Sequence, residues 1–125
     1  MNKDKKTLWK EAIKWPLYSV AIMPIFISAA YNFYLYEKII VPYFIWFSIA
    51  SILILFWENL TNDLYDSETG VDEFKFHSVV NLVNNKKLIS NIAYSSLIIG
   101  LFISFIIALE VNTTIILLII ACCLL

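Results

Sequence analysis

Arginine is absent from the 125 residues, and glycine, proline, cysteine and histidine are scarce, at two, three, two and one. Nine lysines stand against ten acids, for a net charge of −1. No basic stripe is present, which excludes a nucleic-acid footprint. The cysteines, Cys122 and Cys123, are neighbours in an apolar run. That arrangement offers neither a disulfide framework nor metal-ligand spacing and leaves them as packing residues. Charge itself is thin. Only 15% of the chain is charged, against about a quarter for a soluble domain. What fills the space is apolar: 61% hydrophobic residues and a mean hydropathy of +0.79. This is the composition of an integral membrane protein.

The apolar residues come in long uncharged runs, which predict an all-α, polytopic membrane bundle. Spans are expected at about 16–36, 39–61, 88–109 and 114–125, with an Asp-rich cytoplasmic loop at 62–87. Pro16 fits the first turn of the first span, and Pro24 lies inside it, where it removes a backbone donor. Tyr31, Tyr34 and Tyr36 close that span as an aromatic belt. The segment F-H-S-V-V-N-L-V that precedes the third span reads either as a short interfacial helix or as a turn. The fourth run would rise only about 18 Å as a helix, short of a hydrocarbon core of about 30 Å. It stops without a polar anchor, so three full spans and a truncated fourth are expected, as in the N-terminal part of a longer chain. Five lysines precede the first span, and Lys75, Lys86 and Lys87 follow the second, while Lys38 alone serves the opposite loops. The positive-inside rule therefore puts the N-terminus and the acidic stretch in the cytoplasm.

That acidic stretch reads N-L-T-N-D-L-Y-D-S-E-T-G-V-D, from Asn59 to Asp72. Asn59, Asn62, Asp63 and Asp66 are three and four apart, so on a helix they share a face. Clustered acids repel unless a cation or wide solvation compensates. A hard cation such as Mg²⁺ prefers such oxygen ligands and often bridges them to phosphate. Lys75, and less directly Lys86 and Lys87, would add charge toward a diphosphate, and Asn59 a polar contact. Three other readings compete. One is a solvated helix end rich in turn formers, and another is a protein-interaction surface. The third is a calcium loop, which fails on spacing because Val71 stands at its sixth position and His77 at its twelfth. Glu58, one turn inside the membrane end, is either functional or snorkelling. His77 reads as an interfacial or capping residue.

With N-D-L-Y-D at Asn62–Asp66 and a further Asp at Asp72, the stretch resembles the first aspartate-rich motif of the UbiA-type intramembrane prenyltransferases. The six-residue step from Asp66 to Asp72, with H-S-V-V-N-L after it, is similar to the branch that prenylates 1,4-dihydroxy-2-naphthoate. Within that branch it is most like the cyanobacterial and plastid phytyltransferases of phylloquinone synthesis. The resemblance implies a Mg²⁺-dependent enzyme in which Asn62, Asp63, Asp66 and Asp72 hold the metal on a prenyl diphosphate, with Asp63 and Asp66 essential to catalysis. It also implies a second Asp-rich motif that this chain lacks, so 125 residues alone are expected to be inactive. The alternative from another class is a small four-helix membrane subunit or adaptor without catalysis.

Overall fold

The computed structural model describes residues 5–70, 78–111, 115–117 and 119–120, and they are helical apart from turns and connections. The elements in chain order are α1 (Lys5–Ile13), α2 (Trp15–Tyr36), α3 (Val41–Thr69), α4 (Val79–Val83) and α5 (Lys86–Val111). Residues 115–117 and 119–120 are also helical. Among the described residues, three helices, those containing α2, α3 and α5, are long and apolar enough to cross a membrane.

Each boundary has a local cause. Lys14 alone separates α1 from α2, in a left-handed conformation at φ 50°. A proline occupies the first positions of both α2 and α3, where no backbone donor is needed. α2 continues through Pro24 as one helix, and Ser28 Oγ turns back to donate to the Pro24 carbonyl at 2.9 Å. Its left-handed cap, Glu37, returns its N–H to the Phe33 carbonyl at 2.8 Å. α5 starts at a cap of its own, with Asn85 Oδ1 accepting the Leu88 N–H at 3.0 Å.

α3 differs from the expectation that its span stops near 61 and a loop begins at 62. Asn62 to Thr69 continue the helix for two more turns, and it ends only at Gly70, whose φ of 76° suits the left-handed cap. The reason is that N-D-L-Y-D-S-E-T contains no breaker. Twenty-nine residues rise about 43 Å, so about 13 Å projects beyond a hydrocarbon core of about 30 Å. The acids ride on that projecting end.

α3 packs most extensively against α5 and then against α2. Small residues allow the first approach. Ala50, Ala93, Ser96 and Ala108 are buried in it. A Cβ on Gly100 would sit 3.0 Å from Ile54 Cγ1 and 3.1 Å from the Ala50 carbonyl. Close backbone contact of this kind is how helices associate where lipid gives no hydrophobic drive. α2 is tied to α3 by Ser51 Oγ, which donates to the Ala21 carbonyl at 3.0 Å, and by an edge-to-face Phe26–Phe44 pair at 5.0 Å. Tyr31, Tyr34 and Tyr36 are exposed at the end of α2. A second cluster, Leu60, Val80, Ile89 and Ala93, joins α3, α4 and α5 at the polar end. It seats α4 beside the acids.

Candidate functional site

The projecting end of α3 presents its polar residues in two directions. Asn59 and Asp63, one turn apart, point inward, at 8% and 4% exposure. Asn59 Oδ1 accepts from Lys14 Nζ at 3.2 Å, and Asn59 Nδ2 donates to Tyr18 Oη at 3.4 Å. Both ends of the amide are thus engaged between the α1–α2 junction and α3. Asp63 Oδ2 accepts the Val79 N–H at 2.9 Å and the Ser78 hydroxyl at 3.5 Å. A cavity of about 100 Å³ lies between these helices, with Trp9, Tyr18, Asn59, Asp63 and Val79 on its walls.

Asn62 points the other way. It is exposed and borders an open groove of about 560 Å³ between α3 and α5, with Tyr65, Glu68, Lys86, Lys87 and Tyr94. Lys86 Nζ reaches back to the Ser67 carbonyl at 3.2 Å, which holds one cation over the last turns of α3. Asp66, half-buried, lies on the helix surface between Asn62 and Asp63. Glu58 is exposed. Asp72, Lys75 and His77 lie outside the described residues.

The stripe expected from spacing is therefore divided. Its residues share one side of the helix, but Asn59 and Asp63 are enclosed by α1, α2 and α4, while Asn62 stands at the groove. Among the described residues, no three acids, histidines or cysteines gather to hold a metal ion. The donor chemistry still fits a hard cation. Asn62 and Asp66 supply an amide oxygen and a carboxylate one helical turn apart, and Mg²⁺ is commonly held by one or two carboxylates with the rest of its shell from water and phosphate.

Spacing missed three participants. Lys14 and Tyr18 flank the α1–α2 junction, and the left-handed Lys14 breaks the helical register between them, so their convergence on Asn59 has no signal in the spacing. The third, the Val79 N–H, has no sequence signature.

Over 95 residues, 76% of the chain, the sequence is 41% identical to 2-carboxy-1,4-naphthoquinone phytyltransferase from Synechocystis sp.. The chain has homologues among the phytyltransferases. Over 95 residues it is also 39% identical to the chloroplastic 2-carboxy-1,4-naphthoquinone phytyltransferase of Arabidopsis thaliana. These relatives fall in the branch that the acidic stretch resembles. The aligned part is 31% of the cyanobacterial phytyltransferase and 25% of the plant one, so the chain spans about a third or less of the relatives it matches. No family model matches the chain, and no solved structure does.

Proposed function

We infer that this chain supplies the diphosphate-holding part of a membrane phytyltransferase. The observation that carries the reading is Asn62, exposed on α3 beyond the apolar span at a groove that also holds Lys86 and Lys87, with Asp66 one helical turn further on. The substrates proposed are a prenyl diphosphate, with phytyl as the prenyl group, and 1,4-dihydroxy-2-naphthoate.

In this reading Asn62 and Asp66, with Asp72, hold Mg²⁺, which when bound draws negative charge onto the leaving diphosphate. Asn62 and Asp66 orient the diphosphate at the water end of the bundle. Lys86 and Lys87, with Lys75, offset its charge through charge-assisted hydrogen bonds. The apolar surfaces of α3 and α5 take the isoprenoid tail. The bond between prenyl C1 and the diphosphate oxygen breaks and diphosphate keeps the electron pair; C1 bonds to a carbon of the electron-rich ring, and that carbon releases its proton, or its carboxylate as CO2, to restore aromaticity. Asn59 has no part in this, since both polar atoms of its amide are taken within the protein.

The test is transfer of labelled phytyl from its diphosphate to dihydroxynaphthoate, in membranes carrying a chimaera in which this chain replaces the segment it matches in the Synechocystis enzyme. Product is expected with Mg²⁺ and not after chelation. Membranes holding only residues 1–125 are expected to give none, because the three long helices leave the groove open to water, which would capture an allylic cation. Absence of product from the chimaera, with the parent enzyme active beside it, would contradict the reading and favour an adaptor. The lysine asymmetry supports a cytoplasmic position for the acid end. A cysteine at Glu68 should then react with an impermeant maleimide from the cytoplasmic side only, and one at Glu37 from the opposite side only.

A further inference from the structure

Asn62 and Asp63 are adjacent in N-D-L-Y-D and were expected to share one task. Their surroundings differ. Asp63 is 4% exposed, and the Ser78 beside it is 0% exposed. A carboxylate buried to that degree is stable only with hydrogen bonds, and Asp63 takes them from α4: the Val79 N–H at 2.9 Å and the Ser78 hydroxyl at 3.5 Å, both on Oδ2. Leu60, Val80 and Ile89 seal the contact from the apolar side. Mg²⁺ gives up its water reluctantly, so a nearly closed carboxylate with one oxygen already committed is a poor ligand for it. The same carboxylate is well suited to joining two elements. Gly70 ends α3 and Ser78 opens α4, so the bond from Asp63 fixes where α4 begins against α3.

We propose that Asp63 is a positioning residue, a clasp that pins the start of α4 to the polar end of α3 and so steadies the turns that carry Asn62 and Asp66, the ligand side chains of the proposed function. The proposal rests on the diphosphate reading for its consequence in catalysis and on geometry alone for the clasp. The two parts are separable by experiment. Asp63→Asn removes the charge and keeps an oxygen that accepts the Val79 N–H. Asp63→Ala removes both. Asp66→Asn removes a ligand and leaves the clasp.

In the chimaera, amide exchange at Val79 reads the clasp, and the Mg²⁺ concentration giving half-maximal phytyl transfer reads the metal site. Asp63→Asn should keep Val79 protected and hold the half-maximal Mg²⁺ within about twofold of the parent. Asp63→Ala should speed Val79 exchange by about tenfold or more, the value of a lost hydrogen bond to a charged group. Its turnover should fall at saturating Mg²⁺ with the half-maximal concentration unchanged. Asp66→Asn should raise that concentration with Val79 still protected. A rise in Asp63→Asn equal to that in Asp66→Asn would overturn the proposal, and so would Val79 protection that survives Asp63→Ala. Where Asp63→Ala does not fold, Asp63→Asn alone decides, because a ligand and a clasp give opposite results with it. If no variant alters the Mg²⁺ dependence, the diphosphate reading fails, and Val79 exchange still settles the clasp.

Discussion

The inward and outward sides of the last turns of α3 are built from the same residue types and carry different burdens. Inward, Asn59 and Asp63 are buried, and their polar atoms meet Lys14, Tyr18, Ser78 and Val79. Outward, Asn62 is exposed at a groove with two lysines. An Asn or Asp in a seam stabilises the fold because its loss leaves buried partners unsatisfied. At an open groove the same side chain adds nothing to the packing and is available to a ligand. Residue type alone does not separate structure from function on this helix; what surrounds each side chain does.

Substitutions that move stability and activity apart would sharpen that comparison, and ones that move them together would break it. The largest effect is expected from Asp66→Asn in the chimaera. Phytyl transfer should drop by about a hundredfold or more, since one anionic ligand of a catalytic cation accounts for several kcal/mol. The melting temperature in detergent should hardly change. Asn59→Ala should do the reverse. It removes the acceptor of the Lys14 ammonium and the amide that donates to Tyr18 Oη, at a cost of about 1–2 kcal/mol in stability, read by thermal unfolding. Its half-maximal Mg²⁺ should stay that of the parent.

Next in size is Gly100→Ala, in the small-residue seam. Its new methyl would lie 3.0 Å from Ile54 Cγ1 and 3.1 Å from a backbone carbonyl, and only the first of these can give way. Overpacking of about 1–2 kcal/mol is expected, again in unfolding and not in Mg²⁺ dependence. Glu68→Gln should have the smallest effect. Glu68 borders the groove but lies outside the N-D-x-x-D positions, so transfer should change by less than about twofold. A large loss there would mean that the ligand face is centred one turn later than Asn62 and Asp66.

Much of the fold was legible because membrane spans are written as uncharged runs. The run 16–36 became Trp15–Tyr36, and 88–109 became Lys86–Val111. Where the second helix ends was not, because acids and amides are tolerated on a solvated helix until a true breaker, here Gly70, arrives. The common side of Asn59, Asn62, Asp63 and Asp66 followed from helical spacing. Its division did not, because burial of Asn59 and Asp63 depends on α1 and α4 folding back over α3, contacts of long sequence separation. Lys14 was illegible for a local reason: a left-handed lysine costs about 1 kcal/mol or more, and nothing near it in sequence announces one.

The central claim is that the groove side of α3 receives a diphosphate with Mg²⁺ while the seam side does not. Thiol protection tests it most directly, in a cysteine-free chimaera bearing either Tyr65→Cys, at a position 67% exposed in the groove, or Leu60→Cys, 4% exposed in the seam. The thiol at 65 should react readily with a water-soluble maleimide. Phytyl diphosphate and Mg²⁺ together should slow it by about tenfold at nine-tenths occupancy, and neither should do so alone. The thiol at 60 should stay unreactive throughout. Unchanged labelling at 65 with both ligands present, or protection that appears only at 60, would contradict the account.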